Sequence, residues 1–319
     1  MIVEKITVGE KFPLDGLLTL PDGDGPFPAI VLVHGSGPND MDEKIGNCYC
    51  FRDFAEGFAK RGVATIRYNK RTKTYGKQMV KSPDASNMTV WDETIEDALF
   101  ATELLRKDAR IDPEMIFIAG HSMGGMLAPR IDAEGGNYTG IILLAGSPRK
   151  LEEIMIEQQD NAIVKLNPVI KWIANKQMKK IREKFDKIYT ISDEEAKNTT
   201  FLGKYIKLYY LKEWGMKPAE NYLKDLTKPI FITQGDADFH VSVEADFNKY
   251  KEIMGDRPNA TFKLYPNLNH LFMQTVYGND ISKGLKEYKK PQKVDENVMD
   301  DITNWIKECG GSENHDSNS

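Results

Sequence analysis

Five consecutive residues, Gly120-His121-Ser122-Met123-Gly124, set a serine between two glycines at a spacing that suits nucleophilic chemistry. A serine hydroxyl is a poor nucleophile at neutral pH. It needs a base to take its proton, an acid to orient that base, and N–H donors to hold the oxyanion that forms. The Gly-x-Ser-x-Gly form has a physical reason, because small flanking residues let the backbone turn sharply from strand into helix. The motif is short, and its setting carries the weight. Ile116-Phe117-Ile118-Ala119 reads as a strand directly before it, and Gly125-Met126-Leu127-Ala128 as the start of a helix. Ser122 is therefore expected at a helix N-terminus, where free amides and the helix dipole favour developing negative charge. The bland alternative is a serine in a tight structural turn.

The chain has five histidines, which allows the base to be sought by elimination. His315 lies near the chain end, His121 inside the serine motif, and His34 directly after a strand, so His240 and His270 remain. His270 sits in Asn267-Leu268-Asn269-His270, a loop after the last expected strand, and is taken as the base. His240 lies two residues from a candidate acid, which leaves it little freedom to be oriented by that acid. The acid should follow the strand Pro229 to Gln234. Asp236 and Asp238 compete there, and either could instead cap the following turn. The residues alone leave that choice open.

The elements that must position these side chains alternate. Ile2 to Val8 and Gly16 to Leu20 read as an antiparallel hairpin whose turn contains Pro13 and Asp15. Continuous apolar runs follow at Ala29 to Val33, Val63 to Ile66, Met115 to Ala119, Ile141 to Leu144, Ile230 to Thr233 and Thr261 to Tyr265. Such runs suit strands buried on both faces of a parallel sheet. Helical patterns lie between them, at Phe51 to Arg61, Val90 to Lys107, Gly125 to Ala133, Val243 to Met254 and Glu296 to Lys307. Ile95, Leu99, Thr102 and either Leu105 or Arg106 mark one buried face in the second of these. The expected class is α/β, a mostly parallel eight-stranded sheet with right-handed crossovers and flanking helices.

One stretch breaks the alternation. Residues 148–226 carry no strand signal and several amphipathic helices, with Ile170, Ile173, Ile181, Phe185 and Ile188 as the clearest stripe. The expected organisation is a core of 1–147 and 227–309, a helical insertion over 148–226, and a polar, disordered tail over 310–319. The insertion leaves the sheet at the carboxyl end of a strand, where open α/β folds bind ligands, so it is read as a lid. Its aromatics Trp172, Phe201, Tyr205, Tyr209, Tyr210 and Trp214 either line an acyl or aryl pocket or pack against the core.

Composition bounds the function. The 319 residues are 40% hydrophobic and 29% charged, ordinary for a globular chain, and the formal charge of −5 offers no basic excess for nucleic acid. No apolar run approaches the roughly 18 residues that span a bilayer, and Met1-Ile2-Val3-Glu4-Lys5 lacks the apolar block of a signal peptide. A cytoplasmic location is the simplest reading. Cys48, Cys50 and Cys309 have no metal spacing and are read as reduced and structural.

The residues His34-Gly35-Ser36-Gly37-Pro38-Asn39-Asp40, Tyr68-Asn69-Lys70-Arg71, Arg110-Ile111-Asp112-Pro113, the serine motif, Gln234-Gly235-x-x-Asp238-x-x-Val241 and Asn269-His270 carry a resemblance. Over nearly its whole length the chain resembles the α/β-hydrolase superfamily, in particular bacterial carboxylesterases related to dienelactone-hydrolase-like and cinnamoyl or feruloyl esterases. The order Ser122, Asp, His270 suits that fold. The resemblance implies Asp238 as the triad acid, and the amides of Ser36 and Met123 as the oxyanion hole. It implies a structural ion-pair loop at Tyr68-Asn69-Lys70-Arg71 more than a substrate clamp. True dienelactone hydrolases use cysteine where this chain has Ser122, which argues against lactone opening of their kind. The expected activity is hydrolysis of small to medium acyl or aryl esters through a Ser122-Asp238-His270 triad and an acyl-enzyme. A serine aminopeptidase or acyl thioesterase is the runner-up, and a non-catalytic binding protein of this fold the third reading. No cofactor or metal is expected. The expected partner is a small-molecule ester, with neither nucleic acid nor membrane, and a homodimer is left open.

Overall fold

The computed structural model describes residues 1–164, 166–202, 206–278, 280, 283 and 286–311. Its frame is an eight-stranded sheet: β1 (Ile2–Val8), β2 (Leu14–Leu20), β3 (Phe27–Val33), β4 (Ala64–Tyr68), β5 (Ile111–His121), β6 (Gly140–Leu144), β7 (Ile230–Gly235) and β8 (Ala260–Tyr265). The spatial order is β1-β2-β4-β3-β5-β6-β7-β8. β1 pairs antiparallel with β2, from Ile2 opposite Leu20 to Val8 opposite Leu14, and β2 pairs antiparallel with β4. From β4 onward every pairing is parallel.

Burial explains the sequence texture. Every residue of β4, β6 and β7 is buried, as expected for strands covered on both faces. β8 is different: expected to be buried on both faces, it is the sheet edge, where Thr261, Lys263 and Leu264 are exposed. A strand with one neighbour and one covered face tolerates such alternation. The opening turn also shifts, because β2 begins at Leu14 and Asp15 lies within the strand. Gly9 takes up the positive φ of +84° at the turn's start.

The described α-helices are α1 (Cys50–Lys60), α2 (Arg71–Met79), α3 (Glu96–Lys107), α4 (Met123–Ile131), α5 (Leu151–Val164), α6 (Pro168–Lys187), α7 (Asp193–Asn198), α8 (Leu208–Met216), α9 (Ala219–Leu223), α10 (Asn248–Met254) and α11 (Glu296–Gly311). Phe51, Phe54 and Phe58 of α1 and Met299, Ile302 and Ile306 of α11 form one cluster with Ile30, Leu32, Phe117 and Ile142. Each such side chain contributes about 1.5–3 kcal/mol on burial. Residues of α3 and α4 are absent from that cluster although both helices pack on β5, so they cover the opposite face. α11 runs to Gly311, beyond the expected start of a tail at 310. Residues 312–319 lie outside the described residues.

The chain divides into two compact units. The sheet unit comprises Met1–Gly76, Glu93–Pro148 and Ala219–Ser319, and the second comprises Lys77–Asp92 with Arg149–Pro218. The insertion expected over 148–226 is thus trimmed at its end and gains a distant segment. Residues 219–223 form α9, which packs on α4, while the turn at Pro83–Asn87 packs on α7 and α8. Neither long-range contact has a signature in local periodicity. The second unit is not wholly helical: Thr200–Leu202 pairs antiparallel with Ile206–Lys207.

Inside that second unit, the expected stripe is buried only in its later part, at Phe185 and Ile188, whereas Ile170 and Ile173 are about half exposed. Phe201 packs on Phe185 with ring centroids 5.2 Å apart, and Trp214 packs on Tyr210 at 6.2 Å. Trp172 is exposed, and Tyr205 lies outside the described residues. No helix among the described residues is long and apolar enough to cross a membrane.

The loop after β4 is an ion-pair loop. The buried Arg71 guanidinium is bidentate with the buried Asp97 at the start of α3 and also meets Glu96. Removing one partner of such a buried pair strands the other charge. Asp97→Ala should cost about 3–5 kcal/mol in urea denaturation, and Asp97→Asn clearly less because it keeps an acceptor.

Candidate active site

The serine motif forms a strand-to-helix elbow. β5 ends at His121, α4 begins at Met123, and Ser122 between them has φ 51° and ψ −113°, a conformation strained for a residue with a side chain. The two glycines permit the close approach. A methyl group on Gly120 would stand 2.1 Å from Gly124 O, and one on Gly124 2.1 Å from Val33 O at the end of β3. Ser122 N donates to Leu144 O of β6 at 2.8 Å, which fixes the elbow to the neighbouring strand.

Asp238 and His270 meet. His270 Nδ1 lies 2.7 Å from Asp238 Oδ2, and both side chains are buried. The other oxygen of Asp238 accepts the backbone N–H groups of His240 at 2.7 Å and Val241 at 3.0 Å. Burial alone would raise the Asp238 carboxyl, but the His270 charge and hydrogen bond hold it below its ordinary value. The competing Asp236 does something else: its Oδ1 accepts Asn267 N–H at 2.6 Å and closes an exposed turn.

Each remaining residue of the two loops has a scaffolding reason. Gln234 Nε2 donates to Val241 O at 2.7 Å and pins the acid loop. A methyl on Gly235 would stand 2.0 Å from Leu268 O, so the acid and histidine loops touch through backbone. Asn269 Oδ1 accepts Leu271 N–H at 2.9 Å and Met273 N–H at 3.2 Å, folding the chain around His270. The His240 ring lies tilted 4.7 Å from the His270 ring, and burial together with the His270 charge lowers its pKa to about 3.

His121 and Glu43 join these loops, and neither was singled out for this role by sequence. His121 Nδ1 lies 3.0 Å from Glu43 Oε2, and His121 Nε2 donates to the backbone carbonyl of His270 at 3.0 Å. Both ring nitrogens thus face oxygens, surroundings that favour the charged form. Burial lowers and Glu43 raises the His121 pKa, with a net rise; burial raises and His121 lowers that of Glu43, with a net fall. Glu43 Oε1 also accepts Gly35 N–H at 2.6 Å. A polar run such as Met41-Asp42-Glu43-Lys44 reads as solvated surface, so no sequence signal marks Glu43.

The expected oxyanion donors lie on the loop after β3 and at the first residue of α4. Gly35 abuts the serine: a methyl on it would be 3.3 Å from Ser122 Cβ. Ser36 is exposed and Met123 buried, and neither backbone N–H has a hydrogen-bond partner among the described residues. His34 is buried against Phe51 and Tyr68, and burial lowers its pKa to about 4, so it is neutral. Cys48 and Cys50 are buried free thiols, and burial pushes both pKa values up. Among the described residues no group of three His, Cys, Asp or Glu side chains is arranged to hold a metal ion.

This strand order, with a strained serine between β5 and α4, defines an α/β-hydrolase fold. The chain belongs to the BD-FAE family, whose model matches residues 17–249, a span that includes Ser122 and Asp238 and ends before His270. It is 35% identical over 296 residues to Esterase EstD of Thermotoga maritima, covering 92% of this chain and 65% of that longer protein. Among solved structures it is similar to Est1E from Butyrivibrio proteoclasticus, with TM-score 0.57 and 16% identity over 96% of this chain and 98% of that one. It is also similar to a proline iminopeptidase from Mycobacterium smegmatis, with TM-score 0.55 and 14% identity over 97% of this chain and 100% of that one.

The buried pair predicts a pH dependence. Glu43, lowered in the fold, contributes stability above its ordinary value of 4.5 that is lost as the pH falls through its folded value. His121, raised in the fold, contributes stability below its ordinary value of 6.5 that is lost as the pH rises through its folded value. The melting-temperature deficit of His121→Gln should therefore be largest between about pH 4.5 and 6.5 and shrink on either side.

Proposed function

We propose that this protein is a carboxylic ester hydrolase in which Ser122 is the nucleophile, His270 the general base and Asp238 the acid that orients it. The observation that carries the reading is the buried 2.7 Å bond from His270 Nδ1 to Asp238. It leaves Nε2 as the ring nitrogen for proton transfer, in a loop tied through His121 to the serine elbow. The esterase EstD, 35% identical, supports an ester as the bond attacked.

Ser122 Oγ attacks the ester carbonyl while His270 takes its proton, and the tetrahedral oxyanion is held by the Ser36 and Met123 amides. His270 then returns the proton to the leaving alcohol, giving an acyl-enzyme. Water, activated by the same histidine, releases the acid and restores the serine. Asp238 keeps the imidazole in one tautomer and stabilises its charged form. The second unit, entered from the carboxyl end of β6, is proposed as the lid that selects which ester is admitted. Small to medium acyl and aryl esters are the proposed substrates.

Purified protein should hydrolyse short-chain p-nitrophenyl esters and be labelled by a fluorophosphonate at Ser122. Ser122→Ala should lower kcat by about 10⁴-fold or more with an unchanged thermal melt. Turnover retained in that variant would overturn the assignment. A panel of esters of varied acyl length, aryl esters, acyl thioesters and aminoacyl amides identifies the preferred bond, and faster turnover of the last two would replace the ester assignment.

A further inference from the structure

We propose that Lys70 is a positioning residue for the oxyanion hole, turning the Gly35–Ser36 peptide so that its N–H faces the reacting carbonyl. The inference rests on the reading of Ser122 as nucleophile and of Ser36 and Met123 as oxyanion donors. Lys70 follows β4 and is buried, although a lysine there would ordinarily extend its ammonium into water. Its Nζ donates to Gly35 O at 3.0 Å, pairs with Glu93 Oε1 at 2.8 Å, and lies 3.5 Å from Met123 Sδ. One buried ammonium therefore touches Met123, one candidate donor, and Gly35, the residue directly before the other.

Peptide geometry turns this contact into a direction. In a planar trans peptide the C=O of one residue and the N–H of the next point opposite ways. Gly35 O faces Lys70, and it also accepts Asn39 Nδ2 at 3.2 Å. The Ser36 N–H must then point away from Lys70. On the preceding peptide, Gly35 N–H is held by Glu43 Oε1 at 2.6 Å. Both sides of Gly35 are thus gripped by buried charged groups, at the residue that abuts Ser122. A glycine lacks the side chain that would otherwise restrict rotation of its peptides, and Gly37 nearby has φ +94°. Without the grip the Gly35–Ser36 peptide can rotate and withdraw its donor. A charged donor on the carbonyl also polarises the peptide and strengthens the N–H at its other end.

The role predicts a split that loss of packing does not produce. An oxyanion donor acts mainly in the transition state, so Lys70→Met should lower kcat by about 10²-fold per titrated active site with KM changed less than about threefold. Affinity for a trifluoromethyl ketone, which mimics the tetrahedral adduct, should fall in parallel with kcat. Lys70→Met strands the Glu93 carboxylate, so Lys70→Met with Glu93→Gln removes both charges and is the variant to use if the single one fails to fold. Asn39→Ala, which deletes the second donor to the same carbonyl, should show the same split on a smaller scale. Wild-type kcat and inhibitor affinity in the folded Lys70 variant would overturn the proposal while leaving Ser122 as nucleophile. If neither Lys70 variant folds, an unchanged kcat in Asn39→Ala overturns it. Wild-type protein that neither turns over esters nor is labelled at Ser122 would overturn the functional reading and this inference together.

Discussion

The close backbone approach at the elbow is the constraint on which the site depends. Gly124 lies so near Val33 O, and Gly120 so near Gly124 O, that a Cβ on either would collide. This contact brings the N-terminus of α4 against the end of β3, and Ser122 is left with a positive φ that it would not adopt alone. The strain is over-determined by the Ser122 N–H bond to Leu144 O and by the burial of α4 throughout. The same approach sets the loop after β3 beside the serine. The serine elbow and the loop after β3 are therefore brought together by one piece of packing.

Around this contact the molecule places buried charges with unusual economy. Glu43 accepts the Gly35 amide with one oxygen and faces His121 with the other, and His121 donates onward to the His270 carbonyl. Lys70 holds the Gly35 carbonyl and is balanced by Glu93. Desolvating such charges is costly unless each is paired and hydrogen-bonded. Glu43, His121 and Lys70 each face two partners, and together they link the loop after β3, the elbow and the histidine loop. The cost is offset by fixing these segments against one another. The Arg71–Asp97 pair next to Lys70 extends the same pattern into the α3 face.

Membership of the BD-FAE family and the α/β-hydrolase strand order are consistent with this arrangement, while the chemistry resides in particular side chains. His240 illustrates the distinction. Its ring lies against that of His270, but burial and the neighbouring imidazole depress its pKa to about 3, and its backbone N–H serves Asp238. Proximity to His270 does not by itself give His240 the same surroundings. The second unit has its own small core, around Phe185, Ile188, Leu208 and Leu211.

Much of this was legible in the sequence, for local reasons. The apolar runs of β3 to β7 are read directly because strands covered on both faces need no polar alternation. Gly120-His121-Ser122-Met123-Gly124 announces a turn because only small residues allow it, and elimination among five histidines singled out His270. Other features needed the folded chain. Asp238 and Asp236 are two residues apart and chemically identical, and only the position of the histidine loop separates a histidine partner from a turn cap. Glu43 sits in a polar run, and Lys70 in a motif read as an ion-pair loop. Both contact Gly35, at sequence separations of 8 and 35 residues. The edge position of β8 and the joining of Lys77–Asp92 to the helical unit are likewise long-range outcomes. Sequence by itself determined the strands, the elbow and the candidate nucleophile and base, because those follow from covalent geometry and local burial. Tertiary structure decided the acid's partner and the buried charges that hold the loops, because only folding brings distant polar groups into one dry space.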